Sequence, residues 1–401
     1  MPAGDVAVVC SRLGHTHSYA VDLVNLLCML GKTVHVVQEA CFDGNQDGEV
    51  VQQPIASLPS RALLVSGEHV KLYSLKSSEQ AVLHTLLRQQ GCTAVVFVRK
   101  DGEAGIQVQG RLPVLSFGVV LLNYENIPRS GRSALAFFDI LVATGENSKR
   151  RLDMYCQTGT KSPCAMIFPR FPHKLLPSCS SDSAEGGLAA KQALGLPCNR
   201  FLYFLDVNES LEIKCVDTVV QAFFACRKEV PGFKEGAALL INAAPSSQLV
   251  DILALQACTP EEVIVHTQYY QDDCALPVTL DHMLVAADVV VDMAGGEDFN
   301  PHLFLAQEYH KYVIYRYCES TRKYCPHGAP ITRQQMYYDG LAQGIMRLPS
   351  LQELTAAMRA TFQGTSMVGR GPAAGAHEEL ANFKGKRDRF ERDWKRYLAR
   401  I

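Results

Sequence analysis

Short apolar runs and helix-like stretches alternate along most of the chain, and this alternation restricts the fold more than any other feature. Val6–Val9 and Thr33–Val37 are β-branched runs of strand length, and Ser18–Leu30 between them is apolar almost all round. Strands that are apolar on both faces are typical of parallel sheets covered by helices on either side. The same pattern runs from Phe201–Leu205 to Val313–Tyr315. We therefore expect an α/β protein with two Rossmann-like domains whose parallel sheets face a cleft.

The remaining runs extend this pattern in both halves. Further strands are expected at Ala62–Val65, Ala94–Val98, Val114–Phe117, Asp139–Ala143, Ala165–Phe168, Ala237–Ile241, Val263–Val265 and Asp288–Val291. Helices are expected at Glu79–Gln90, Glu146–Cys156, Val216–Lys228 and Leu280–Ala287.

A change of composition separates the two halves. The stretch around 171–188 is rich in Pro, Ser and Gly and has little periodicity, so it is predicted to be a linker. It divides an N-terminal domain over 1–170 from a C-terminal domain over 189–376. A last segment over 377–401 is predicted to be helical, because Phe390, Trp394 and Tyr397 fall on one apolar stripe with a basic opposite face.

Composition excludes several classes of protein. The 401 residues carry 39 Lys and Arg against 41 Asp and Glu, and this net charge of −2 argues against a generally basic nucleic-acid binder. No stretch reaches the roughly eighteen consecutive apolar residues of a transmembrane helix, and the N-terminus lacks the pattern of a signal peptide. The 14 cysteines are scattered through apolar runs, which favours reduced thiols and a cytoplasmic protein.

Candidate site residues lie in loops after strands, because open α/β sheets bind ligands at the carboxyl ends of their strands. Loop 11–17 contains Gly14, which permits close approach of an anion to the next helix. Lys214 stands at the start of a helix, where the helix dipole disfavours a cation unless both hold an anion. Loop 295–300 is rich in Gly and acids and precedes Pro301. Each candidate also has an interpretation without a ligand. Loop 11–17 would be an ordinary βα turn, Lys214 would be exposed to solvent, and the acids of loop 295–300 would cap the next helix.

These loops resemble those of a known family. Residues 204–214, F-L-D-V-N-E-S-L-E-I-K, are similar in order and spacing to F-D-x-N-S-x-x-E-R-K-N, and residues 297–314 are similar to E-G-F-G-L-P-x-x-E-A-M-x-x-G-x-P-V-I. Both motifs belong to the nucleotide-binding domain of the retaining glycosyltransferases of family four, which have the GT-B fold. Residues 124–128 and 139–151 also resemble segments of that family.

The resemblance implies a function and a set of roles. It implies transfer of a sugar from a nucleotide diphosphate sugar, with retention and without a required metal or other cofactor, to an unidentified glycan, protein or lipid. Residues 1–170 would be the acceptor side, residues 189–376 would bind the nucleotide sugar, and the C-terminal helix would cross back to the first domain. Lys214 would contact the donor diphosphate, Glu297 the donor sugar, and Glu125 the acceptor; these are the candidate catalytic residues. The candidate donor-binding residues are Gly14, Asn208, Lys214, Glu297, Asp298, Phe299, Asn300 and Glu308.

Two departures from the family motifs keep other hypotheses open. Ile213 stands where members carry a second cation, and Leu305 stands where they carry a second Glu. A GT-B protein that has lost catalysis and serves as a binding or scaffold subunit is therefore an alternative. A different two-lobed α/β ligand binder or epimerase also fits the alternation. No metal site is expected, because His310, Cys318, Cys325 and His327 match no zinc spacing.

Overall fold

The computed structural model describes residues 5–10, 18–39, 50–53, 70–75, 80–100, 112–121, 126–127, 132, 135–157, 164–167, 184–208, 214–243, 250–267, 280–294, 301–318, 321–322, 325, 328–340, 344–364 and 388–396. The chain divides into two compact units. Unit 1 comprises residues 1–173, 338–345 and 381–401, and unit 2 comprises residues 174–337 and 346–380.

The strands and helices follow one another in regular alternation. The strands are β1 (Asp5–Cys10), β2 (Val34–Glu39), β3 (Val50–Gln53), β4 (Val70–Leu75), β5 (Cys92–Lys100), β6 (Leu115–Leu121), β7 (Ile140–Ala143), β8 (Cys164–Ile167), β9 (Phe201–Asn208), β10 (Ala237–Ala243), β11 (Val263–His266), β12 (Val289–Asp292), β13 (Tyr312–Arg316), β14 (Ala329–Ile331), β15 (Gln334–Asp339) and β16 (Gly344–Pro349). The helices are α1 (Ser18–Met29), α2 (Gln80–Gln89), α3 (Glu146–Gln157), α4 (Ala184–Ala193), α5 (Val216–Glu229), α6 (Phe233–Gly236), α7 (Val250–Cys258), α8 (Leu280–Ala286), α9 (Pro301–Glu308), α10 (Leu351–Phe362) and α11 (388–396).

The described strands of unit 1 form an eight-stranded sheet in the order β3-β4-β2-β1-β5-β6-β7-β8. All of its pairs are parallel except the edge pair β3–β4. Alternate residues of the strands feed two cores, because successive side chains point to opposite faces. Val6 and Val8 pack with α1, whereas Ala7 and Val9 pack with α2. Helices thus cover both faces, as the continuous apolar runs predict.

The C-terminal helix α11 belongs to unit 1. Its Phe390 and Trp394 join the same core as α1, and the Trp394 ring stacks on Phe117 with centroids 4.4 Å apart. The i, i+4 spacing of these two aromatics produces the predicted apolar stripe, and Arg392 and Arg396 lie on the exposed side.

Unit 2 contains a six-stranded sheet, among the residues described, in the order β11-β10-β9-β12-β13-β14 with every pair parallel. Tyr203 and Leu205 of β9 pack with α5 and α10 on one face, and Leu202 and Phe204 pack with α4, α8 and α9 on the other. The short strands β15 and β16 pair with each other.

The expected fold class, α/β with two Rossmann-like units, is confirmed. The expected strand at Ala62–Val65 lies outside the described residues. The pattern missed β3 and β4, whose sequences VVQQ and VKLYSL interrupt the apolar run with polar residues. It also predicted none of β14, β15, β16, α7 and α10. Helix α4 begins inside the predicted linker 171–188, and the predicted domain boundaries stay predictions.

Two expectations from composition can be compared with the described residues. The cysteines whose side chains the structure describes are all free thiols, and most of them are buried. No helix within the described ranges has both the length and the apolar character needed to cross a membrane.

Candidate functional site

The strand order of unit 2 marks where a ligand would bind. Counted along the chain within this unit, the order is 3-2-1-4-5-6, so the chain moves outward from β9 in one direction and from β12 in the other. Ligands of open α/β sheets bind beyond the carboxyl ends of the strands at this reversal. The candidate site is therefore built around the ends of β9 and β12.

Three buried polar side chains stand at these strand ends. Asp206 of β9 and Asn242 of β10 face each other in register, and Asn242 Nδ2 donates a hydrogen bond of 2.6 Å to Asp206 Oδ1. Asp292 is the last residue of β12, and its Oδ1 accepts a hydrogen bond of 3.1 Å from the Ala294 backbone N–H. Each is the first polar residue after an apolar run. Buried polar groups need charged or hydrogen-bonding partners. A polar ligand could be such a partner.

Lys214 lies at the amino end of α5, as expected, and its side chain is buried. Its Nζ lies 3.4 Å from Asp292 Oδ1. The next residue, Cys215, has φ 51° and ψ 43° in the left-handed region, which is strained for a residue other than glycine. Burial raises the pKa of the Cys215 thiol to about 11, so the thiol is not a nucleophile at neutral pH. Because the side chain of Lys214 is buried, its ammonium group lies in the interior of the site and not in bulk solvent.

His302 is the second residue of α9 and forms the shortest contact in the site described here. Its Nδ1 lies 2.5 Å from Asp206 Oδ2, and 21% of its side chain is exposed against 4% for Asp206. Burial by itself raises the pKa of Asp206, but the charge and hydrogen bond of His302, the amide of Asn242 and the charge of Lys214 outweigh it. The pKa of Asp206 is therefore lowered, and this carboxyl group is ionised at neutral pH.

Arg316, at the end of β13, is a second buried cation of this region. Its Nη1 donates a hydrogen bond of 2.9 Å to the backbone carbonyl of Arg347. Its charge acts on the buried Cys215, as do those of Lys214 and Asp292. The site thus brings together cations, carboxylates and an imidazole, a set that suits a phosphate-bearing ligand better than an apolar one.

The structure leaves most of the predicted site residues outside its described part. Gly14, Glu125, Glu297, Asp298, Phe299 and Asn300 lie there, and their roles stay predictions. Asn208 ends β9 and Glu308 ends α9, so both lie on elements of the site, and their side chains are not described. Lys214 has a described side chain, and it lies with Asp206, Asp292 and His302 at the strand ends.

Sequence reasoning missed Asn242 and His302 and did not assign Asp206 or Asp292 to the site. A usable signal was present for three of them, because each is the first polar residue after an apolar strand. No comparable signal marks His302, since one histidine in the first turn of a helix has no distinctive pattern. The described residues contain no group of three or more His, Cys, Asp or Glu side chains arranged to hold a metal ion.

Comparison with known proteins gives matches in structure. No family model and no curated protein sequence matches the chain. One similar structure is the trehalose-6-phosphate protein of E. coli bound with UDP-2-fluoro glucose, at 10% identity and a TM-score of 0.63, covering 99% of each chain. Another is the catalytic domain of starch synthase IV from Arabidopsis thaliana bound to ADP and acarbose, at 11% identity and a TM-score of 0.62, covering 99% of this chain and all of that one. Sucrose-phosphate synthase from Thermosynechococcus elongatus matches at 12% identity and a TM-score of 0.60, with 99% and 100% coverage.

These matches extend over nearly the whole of both chains, and the similar structures are glycosyltransferases with the GT-B fold. The chain therefore has the GT-B fold. At this identity the likeness shows the fold and leaves the reaction to be argued from the site.

Proposed function

We propose that this protein binds a nucleotide diphosphate sugar at the strand ends of unit 2 and transfers the sugar to an acceptor that is a glycan, a protein or a lipid. The observation that carries the proposal is the buried Lys214 at the start of α5, beside the point where the strand order of the sheet reverses. A buried ammonium at that position is suited to an anionic group of a ligand. Structures of the same fold are bound with UDP-2-fluoro glucose and with ADP.

The chemistry of glycosyl transfer explains why a cation is needed there. As the bond to the anomeric carbon breaks, negative charge grows on the departing diphosphate. Groups already oriented toward this charge lower the barrier by several kcal/mol, because they need not reorganise during the reaction. Lys214 and the amino end of α5 would stabilise the leaving group in this way. Glu297 toward the donor sugar and Glu125 toward the acceptor complete the proposal, together with retention and independence from a metal.

A second candidate function follows from the partner of Lys214. Asp292 offsets the charge of this lysine within the buried site, at 3.4 Å. A cation already engaged by a carboxylate attracts a diphosphate less strongly, which favours the alternative of a GT-B binding or scaffold protein without catalysis. The two candidates differ in whether the donor is turned over. The cytoplasmic location expected from the cysteines fits both and stays a prediction.

Thermal stabilisation by nucleotide sugars tests binding. UDP-glucose, GDP-mannose and ADP-glucose are added in turn to the full chain, and a ligand at a hundredfold excess over its Kd should stabilise it by about 2.7 kcal/mol. Lys214→Met should remove most of the shift. Lys191→Met is the matched control, because Lys191 is also buried, and it pairs with Asp288 at 2.9 Å at the amino end of β12. The absence of a shift with all three donors contradicts the proposal, as does an unchanged shift in Lys214→Met.

Donor hydrolysis without an acceptor separates the enzyme from the binding protein. Release of UDP, GDP or ADP from the donor that stabilises the chain, lost in Lys214→Met and kept in Lys191→Met, supports glycosyl transfer. Stabilisation without release favours the second candidate. Asp292→Asn then provides a further comparison, since removing the carboxylate should tighten donor binding by releasing the charge of Lys214.

A further inference from the structure

The buried charges described at the ends of β9, β12 and β13 offset one another before His302 is counted. Asp206 and Asp292 are buried carboxylates, and Lys214 and Arg316 are buried cations. The charges of Lys214, Asp292 and Arg316 all act on the buried thiol of Cys215 at the start of α5, as does that of the exposed Asp217. Two negative and two positive buried groups leave no net charge. A further cation beside these groups would therefore strengthen the attraction of an anionic ligand.

His302 is placed to be that cation. Its imidazole lies against Asp206 at 2.5 Å, and it is more exposed than the carboxylate, at 21% against 4%. The imidazole, and not the carboxylate, is therefore the member of the pair that is accessible from solvent. A buried carboxylate on one ring nitrogen fixes the orientation of the ring and stabilises its protonated form.

We propose that protonated His302, backed by Asp206, supplies the positive charge that lets this site hold the diphosphate of a nucleotide sugar, so that donor binding strengthens as the pH falls. The inference rests on the proposed function and adds to it a residue and a pH dependence. The described charged groups that act on His302 are Asp206 of β9, Lys214 before α5 and Asp292 of β12. Asn242 of β10 is neutral and fixes the carboxylate from the other side.

The electrostatics of the site agree with this geometry. Burial by itself lowers the pKa of His302, and Lys214 lowers it further. The charge of Asp206, the hydrogen bond to it and the charge of Asp292 outweigh both effects, so the pKa of the imidazole is raised above its ordinary value. A bound diphosphate would raise this pKa further, because it adds negative charge beside the ring. By linkage, the ligand binds more tightly to the protonated protein, and its affinity falls as pH rises through the pKa of His302.

Calorimetric binding of a nucleotide sugar from pH 5.5 to pH 8.5 tests the inference. UDP-glucose, GDP-mannose and ADP-glucose are suitable probes, because their diphosphate is esterified at both ends and has no group that titrates near neutral pH. The Kd of the wild-type chain should rise about tenfold across the range, as expected for the loss of one charged contact. His302→Gln should show the weak affinity at every pH, with the pH dependence gone. Asp206→Asn should keep the dependence and move its midpoint to lower pH.

Controls separate a charge effect from a folding defect. Circular dichroism confirms that each variant is folded, and His84→Gln on α2 of unit 1 serves as the matched loss of an imidazole and should titrate like the wild type. Binding whose Kd does not change with pH, or a His302→Gln variant with the wild-type pH profile, overturns the inference and leaves the proposed function standing. Absence of binding by all three nucleotide sugars at every pH overturns both.

Discussion

Removing the ammonium group of Lys214 should destabilise unit 2 by an amount that the structure allows to be calculated. At 3.4 Å and an effective dielectric constant of about 20, the attraction between Lys214 and Asp292 is roughly 5 kcal/mol before desolvation is counted. Both side chains are buried, and removing one partner of a buried ion pair typically costs 3–5 kcal/mol. Asp292 keeps the hydrogen bond from the Ala294 N–H. We therefore expect the lower end of that range, about 3 kcal/mol.

A double-mutant cycle measures this directly. Lys214→Met, Asp292→Asn and the double variant are unfolded in urea and followed by far-UV circular dichroism, which reports both units. The double variant should be at least 1.5 kcal/mol more stable than the sum of the single changes predicts, because neither charge is then left without the other. Trp394, the single tryptophan of the chain, belongs to unit 1, so its fluorescence gives a separate transition for that unit. Additive effects, or a cost below 1 kcal/mol for Lys214→Met, would refute the reasoning.

Three further predictions concern stability. The raised pKa of His302 should contribute stability that is fully present below about pH 6.5, the ordinary pKa of histidine, and is lost as pH rises through the pKa of the folded state. When the urea midpoint of unfolding is measured as a function of pH, His302→Gln should remove this part of the pH dependence. Trp394→Ala should lower the free energy of unfolding by about 3–5 kcal/mol, whereas Arg392→Ala on the exposed side of α11 should change it by no more than about 0.5 kcal/mol. Circular dichroism follows both variants, because Trp394→Ala removes the single tryptophan. Gly328→Ala would place a Cβ 2.7 Å from a backbone carbonyl oxygen of β13 and should lower the thermal midpoint, while Gly340→Ala, which meets nothing within 4 Å, should not; equal midpoints would contradict the prediction.

The sheet of unit 2 was predictable from local pattern because its strands are buried on both faces. Runs such as VVV in β12 and AALLI in β10 have no polar residue until the strand ends. A continuous apolar run of that length is typical of a strand buried on both faces. The edge strand β3 was missed for the complementary reason. Its sequence VVQQ is half polar, since an edge strand is not enclosed by neighbours on both sides.

The site was predictable only in part. Lys214 stood out because a lysine at the amino end of a helix opposes the helix dipole, and the structure places it at the strand ends. The pairing of Asp206 with His302 was not predictable, because 96 positions separate them in the chain and no spacing rule links them. Gly14, Glu125 and Glu297 stay predictions, since they lie outside the described residues.

The sequence by itself determined the class of fold and the places where a site could be. Apolar runs of strand length, alternating with helices, can be buried only in sheets covered on both faces, and the polar residues that end those runs must then gather at one edge. Only the tertiary structure decided which charges meet there. Because the strand order reverses between β9 and β12, it brings Lys214 to Asp292 and His302 to Asp206, and electrostatic partnership depends on distance in space and not along the chain.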